Sequence, residues 1–144
     1  MLSEPIRIAG LFEDAVTTSQ SGDSITSIIL RLSAPPDEAW TEAFHHEWAL
    51  TSYPRKRNAR IGTARSLRNE VLRTGLILFA SPEDYVDKHK RHLEDAVARA
   101  NERILQRARQ RDVTLAEAAR RIREINEAHY GAPAPDAPVI RLAV

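Results

Sequence analysis

The sequence predicts an α+β domain in which helices cover one face of a four-stranded antiparallel sheet. Two observations support this fold. Apolar residues alternate along extended segments between residues 5 and 80, and they recur every three or four residues between 82 and 129. The resulting order, β-β-α-β-β-α-α with short connections, favours an antiparallel sheet and ends in a long C-terminal helical pair. We expect one domain over residues 1–130 and a proline-rich tail over 131–144.

Two strands are predicted before residue 33. Ile6 and Ile8 are separated by one residue, as expected when one face of a strand is buried, so the first strand is placed near residues 5–13. A polar, glycine-containing turn over 17–24 leads into the second strand over 25–32. The short turn predicts that these strands are antiparallel.

A first helix is predicted from about Glu38 to Leu50. The segment before it combines prolines with acidic residues, a pattern typical of a helix start. Trp40, Phe44 and Trp48 recur every four residues along the helix. This spacing places three aromatic rings on one face, and we expect them to pack in the core against the sheet.

Residues 59–80 allow either a pair of strands or a partly helical segment, and we favour a hairpin. Alternating residues support its first strand: Ile61, Thr63, Arg65 and Leu67. Asn69 and Glu70 are candidates for the turn, and residues 75–80 are rich in strand-forming side chains. Apolar residues on both sides of this second strand predict a central position in the sheet.

Two long helices are predicted after residue 80. Ser81 followed by a proline and two acidic residues is a strong helix start, and the apolar spacing continues to about Gln110. Asp112 and the following valine are interpreted as a break. Thr114 then opens a second capping pattern, which predicts a last helix to about His129.

The composition favours a cytoplasmic protein, without a bound cofactor, of bacterial origin. The chain has no cysteine, and its 21 basic and 20 acidic side chains nearly cancel. Eighteen of the basic residues are arginine, a bias typical of GC-rich bacterial genomes. We find no apolar stretch long enough to cross a membrane, so no membrane partner is expected. No glycine-rich phosphate loop or nucleophile motif is present, so catalysis is not the favoured function.

The leading functional hypothesis is a non-catalytic interaction or assembly module that associates with itself or with another protein. The apolar faces of two long helices exceed what a small sheet can cover, and uncovered apolar stripes mark interfaces. The candidate interface residues are Val86, His89, Leu93, Val97, Ile104, Leu115, Ile122 and Ile125, and some of them are expected to belong to the core of the chain itself.

The alternative hypothesis is nucleic-acid binding through the densest basic region of the chain. Its candidate residues are Arg55, Lys56, Arg57, Arg60, Arg65 and Arg68. Such a cluster can neutralise several phosphates. The near-neutral total charge and the lack of aromatic residues within the cluster favour a solvated basic loop instead.

Histidines and one buried amide are the remaining candidates. A weaker hypothesis places an enzyme or small-ligand site near His45, His46 and His89. The histidine spacing along the helices is common, so no metal is predicted. Asn101 interrupts the apolar stripe of the long helix. We expect its amide to bond a backbone group in the core, because buried amides are usually paired in this way.

Overall fold

The structure is a computed structural model that describes residues 4–65 and 72–131. The elements, in chain order, are β1 (Ile8–Thr18), β2 (Ile25–Leu32), α1 (Glu38–Leu50), β3 (Ala59–Arg65), β4 (Leu72–Leu78), α2 (Pro82–Asp84), a π-helical turn (Tyr85–His89) and α3 (Lys90–Tyr130). The α+β class is confirmed. The chain divides into two units, Met1–Gln106 and Arg107–Val144, which are described separately below.

The first unit contains the four-stranded antiparallel sheet, in the spatial order β1-β2-β4-β3. β4 is therefore an inner strand, as predicted. β3 and β4 pair from Ala59 opposite Leu78 to Arg65 opposite Leu72, which confirms the predicted hairpin. The predicted turn at Asn69 lies outside the described residues.

The main core lies between one face of the sheet and the helices of the first unit. Asp37 caps α1 by accepting a hydrogen bond from the Trp40 backbone N–H at 2.8 Å. The predicted aromatic stripe is buried, with the Phe44 ring stacked 5.7 Å from Trp40 and 6.4 Å from Trp48. Leu93 on α3 packs in the same core with no exposed surface.

The second face of the sheet is partly covered by an irregular stretch of β1. Leu11 pairs with Leu30 and Val16 pairs with Ile28, so β1 carries three more residues than β2 between these pairs. Within this bulge Ala15 packs against apolar residues of β2 and β4. Pairing with β2 resumes after the bulge, so β1 continues to Thr18 rather than ending near residue 13 as predicted.

Asn101 joins α3 to the N-terminal segment and to α1. Its side-chain oxygen accepts hydrogen bonds from the Ile6 backbone N–H at 3.1 Å and from the Trp40 indole N–H at 2.8 Å. Its amide nitrogen donates to the Ile6 carbonyl at 2.7 Å. The predicted role of this amide, bonding to backbone in the core, is confirmed.

The prediction of two C-terminal helices is wrong, because α3 continues from Lys90 to Tyr130 without a break at Asp112. Asp112, Val113 and Thr114 each cost at most about 0.7 kcal/mol relative to alanine in a helix, and neither glycine nor proline interrupts the segment. The arginine, alanine, leucine and glutamate residues around them favour helix. The Thr114 hydroxyl accepts from the Gln110 side chain at 3.5 Å instead of capping a new helix.

Among the described residues, no helix has the length and apolar character required to span a membrane.

Candidate functional site

The distal segment, defined here as residues 107–130 of α3, exposes large apolar side chains. Every residue from Arg109 to Tyr130 is exposed in the structure. Leu115 is 62% exposed, Ile122 58% and Ile125 46%. Exposed leucine and isoleucine side chains on a single helix gain free energy when a partner covers them.

Four apolar residues of the distal segment lie on one face of the helix. Leu115, Ala118, Ile122 and Ile125 follow one another at spacings of three, four and three residues, and we call this set the apolar stripe. The spacing is that of the inward-facing positions of paired helices. Val113, which is 51% exposed, falls outside the stripe on this heptad assignment.

The structure separates the eight predicted interface residues into three groups. His89, Leu93 and Val97 are at most 3% exposed and belong to the core of the first unit, so they are not available to a partner. Ile104 is partly buried and packs against the same core, whereas Val86 is 64% exposed on the π-helical turn. The other three are the exposed stripe residues Leu115, Ile122 and Ile125.

The sequence interpretation placed His89, Leu93 and Val97 at an interface because it treated the helices as longer than their sheet. In the structure this part of the helix packs in the core with the aromatic residues of α1 and with β2 and β4. Spacing alone cannot distinguish an apolar face buried within a chain from one left exposed.

The charges of the distal segment are unevenly distributed. Residues 107–112 contain three arginines and one aspartate, whereas residues 124–130 contain two glutamates and no arginine or lysine. The first part of the segment is therefore positive and the last part negative.

The basic region predicted to contact nucleic acid is partly used for intramolecular bonds. The Lys56 ammonium group donates to the carbonyl oxygens of Trp48 and Thr51 at 2.5 and 2.6 Å, which caps the C-terminal end of α1. Arg57 Nε donates to the Phe79 carbonyl at 2.9 Å. These contacts fix Lys56 in a structural role.

The other predicted basic residues that the structure describes lie at separate places. The guanidinium of Arg60 lies 6.0 Å from the centre of the Phe79 ring, and Arg65 is at the end of β3. Arg55 is exposed, and Arg68 lies outside the described residues. Nucleic-acid binding stays a prediction.

A second candidate site is a cleft of about 500 Å³ in the first unit, which we call the basic cleft. It is lined by Ile25, Thr26, Arg55, Lys56, Arg57, Ala80, Ser81, Asp84, Lys88 and His89. The sequence interpretation singled out part of this set but not Ser81 and Lys88, which come from the start of the helical region. Only the fold brings these residues beside the loop after α1.

His89 lines the basic cleft although it is only 1% exposed. Its Nδ1 lies 2.7 Å from the Tyr53 hydroxyl oxygen. Burial lowers the pKa of His89, and the positive charges of Lys88 and Arg57 lower it further, whereas Asp84 opposes this change. His89 is therefore a neutral imidazole near pH 7.

The Tyr53 hydroxyl holds the His89 ring in place. Burial raises the pKa of Tyr53 to about 12, so the phenol keeps its proton near pH 7. Which of the two atoms donates in the bond between Tyr53 and Nδ1 depends on the tautomer of the imidazole. Nε2 of His89 has no hydrogen-bond partner among the described residues.

The remaining histidines do not assemble a metal site. His45 Nε2 accepts from the Ile61 backbone N–H at 3.0 Å, and His92 stacks on the Tyr53 ring with centroids 3.9 Å apart. Burial and the nearby Arg60 lower the pKa of His45. Within residues 4–65 and 72–131, no group of three histidine or carboxylate side chains is placed to hold a metal ion.

Arg55, at the rim of the basic cleft, has a left-handed backbone with φ of 63°. This conformation is unfavourable for a residue with a Cβ atom.

Comparisons with protein-family models, with curated proteins and with solved structures found no match to the chain.

Proposed function

We propose that this protein is a non-catalytic assembly module that self-associates by pairing the distal segments of two copies in antiparallel orientation. The observation that carries the proposal is the apolar stripe at Leu115, Ala118, Ile122 and Ile125, whose three large residues are about half exposed or more. A second copy supplies the apolar surface that these side chains lack in one chain.

The side chains of the stripe complement themselves when two copies run in opposite directions. With Ala118 opposite Ile122 of the second copy, Leu115 faces Ile125 and both contacts are repeated by the two-fold axis. A small residue then faces a large one in the central layers, which fills space without overlap. In a parallel pair, Ala118 would face itself and leave a gap.

The charges of the distal segment contribute little to the choice of orientation. In this register residues 124–130 lie opposite residues 110–116 of the second copy, so Glu124 faces Ala116 and Glu127 faces Val113 rather than an arginine. The antiparallel orientation therefore depends on the packing of the apolar stripe. The chain as a whole carries a formal charge of only +1, so repulsion between copies is small.

The size of the surface predicts a weak dimer. The 24-residue segment is about 36 Å long, and with a helix about 10 Å wide it presents a strip of roughly 360 Å² per copy. Stable complexes commonly bury about 800 Å² per partner. We therefore expect a dissociation constant on the order of 10 µM or weaker.

Sedimentation velocity of the full chain, at protein concentrations between about 1 and 200 µM, covers the range around the expected dissociation constant. We expect the mass to rise from one chain, 16.2 kDa, towards two as the concentration increases. Ile122→Asp should abolish the increase, because it places a carboxylate in the central layer. Val113→Asp is the matched control, since it replaces an exposed apolar residue of the same helix outside the stripe.

Two results would count against the proposal. A chain that stays monomeric over the whole range has no self-association to explain. Equal weakening by Ile122→Asp and Val113→Asp would show that the stripe is not the contact surface, because both variants insert the same side chain into the same exposed helix.

A further inference from the structure

We propose that the basic cleft binds a small molecule that carries a phosphate group. The inference is independent of assembly, because every residue that lines the cleft belongs to the first unit. It rests on three features of the cleft: its hydrogen-bond donors, the buried imidazole of His89, and the strained backbone of Arg55.

The donors of the cleft suit an anion with several oxygen atoms. Arg55 and Arg57 supply guanidinium groups, and Lys88 supplies an ammonium group. Arg57 uses only Nε for the Phe79 carbonyl, so its two terminal nitrogens are available. Planar guanidinium groups match phosphate oxygens in pairs, and each such bond is strengthened by charge.

Asp84 is the one carboxylate among the described residues that line the cleft, and its charge is matched locally. Its Oδ1 lies 3.1 Å from the Lys88 ammonium nitrogen. Arg55, Arg57 and Lys56 remain as excess positive charge. The Lys56 ammonium is bonded to carbonyl oxygens at the end of α1, so the two arginines are left to meet the two negative charges of a phosphate monoester near neutral pH. The Ser81 hydroxyl accepts from the Asp84 backbone N–H at 3.2 Å and keeps its own proton for a ligand.

His89 gives the cleft an oriented imidazole. The hydrogen bond with Tyr53 fixes the ring, and Nε2 has no hydrogen-bond partner among the described residues. Nε2 is not one of the buried atoms that lack a partner, so it reaches solvent and can bond a ligand in the cleft. The π-helical turn that ends at His89 belongs to a class of helix irregularity that is frequent at functional sites.

The backbone of Arg55 is the third feature. A glycine at this position would adopt φ of 63° without cost, yet the sequence has an arginine. Strained backbone conformations cluster at sites where the side chain has a function. The cleft volume, about 500 Å³, lies within the range of small-molecule sites and exceeds what a phosphate ion alone would fill.

The test is titration of the isotope-labelled full chain, followed by amide chemical shifts, with inorganic phosphate and with phenyl phosphate at constant ionic strength. We expect saturable shifts confined to residues 25–26, 55–57 and 80–89, with phenyl phosphate binding more tightly because it fills more of the cleft. Sodium benzoate, which lacks the phosphate group, should bind at least about tenfold more weakly than phenyl phosphate.

Arg55→Gly separates binding from folding. It should weaken phenyl phosphate binding by about tenfold while raising the urea midpoint of unfolding, because it removes a charged donor and relieves the left-handed backbone. Lys90→Gln is the control, since it removes one positive charge from an exposed neighbouring position that does not line the cleft. The affinity of the Lys90→Gln variant for phenyl phosphate should stay within about twofold of the affinity of the unchanged protein.

The proposal is overturned if neither phosphate compound gives saturable shifts, or if Arg55→Gly and Lys90→Gln have equal effects. It is also overturned if benzoate binds as tightly as phenyl phosphate, which would indicate a general carboxylate or aromatic site. Binding of a single-stranded oligonucleotide at the same residues that phenyl phosphate cannot displace would assign the cleft to nucleic acid instead.

Discussion

The two parts of α3 have opposite environments within one continuous helix. In residues 90–106, the apolar positions Leu93, Ala96, Val97 and Ala100 are buried in the core. In the distal segment, the equivalent spacing leaves Leu115 and Ile122 more than half exposed. The same apolar pattern can therefore stabilise the fold of one chain or an assembly of several chains. The elements that surround the helix determine which of the two it stabilises.

The largest expected effect comes from replacing the same residue type in the two parts. Leu93→Ala should lower the free energy of unfolding by about 2–5 kcal/mol, because it leaves a cavity in the core. Leu115→Ala should change it by no more than about 0.5 kcal/mol in dilute solution, where the chain is a monomer. Urea unfolding at low protein concentration measures both values. Equal losses would contradict the contrast between the two parts.

A smaller difference is expected for two asparagines on α3. Asn101→Ala removes the partner of the Ile6 backbone groups and of the Trp40 indole N–H, which should cost about 1–3 kcal/mol. Asn126 is exposed, so Asn126→Ala should be neutral or slightly stabilising because alanine favours helix. Thermal and urea unfolding of the two variants tests the difference. A neutral Asn101→Ala would show that the buried amide is dispensable.

The smallest expected effect reports the direction of helix pairing. In the antiparallel pair Arg121 lies beside Arg121 of the second copy, so Arg121→Ala should tighten the dimer by about 0.2–0.5 kcal/mol at low salt. In a parallel pair Arg121 would lie near Asn126, and the same substitution would change the affinity little. Sedimentation at low and high salt measures the effect, which should shrink as salt screens the charges.

Much of the first unit could be predicted from local residue patterns. The capped start of α1 and the alternation in β3 gave the correct elements because their signals lie within a few residues of each other. The bulge in β1 could not be predicted, since extra residues in a strand do not change its composition. The continuity of α3 was missed because a capping pattern at Thr114 was given more weight than the surrounding helix-forming residues.

The candidate sites were harder to predict than the fold. Leu115, Ile122 and Ile125 were identified from spacing, but so were His89 and Leu93, whose burial depends on packing with distant elements. The contact between Tyr53 and His89 joins residues 36 positions apart, and no local pattern indicates it. The left-handed backbone of Arg55 was equally hidden, because the position lacks the glycine that usually marks such a conformation.

Cross-linking of single-cysteine variants is the most direct test of the distal segment as the assembly surface. The chain has no cysteine, so Ala119→Cys and Ala116→Cys each introduce a unique thiol. In the antiparallel pair residue 119 flanks the two-fold axis beside its own copy, whereas residue 116 faces away. A short bis-maleimide should therefore link two Ala119→Cys chains and leave Ala116→Cys chains largely unlinked. Equal or absent linking of the two variants, at concentrations above the dissociation constant, would contradict the account.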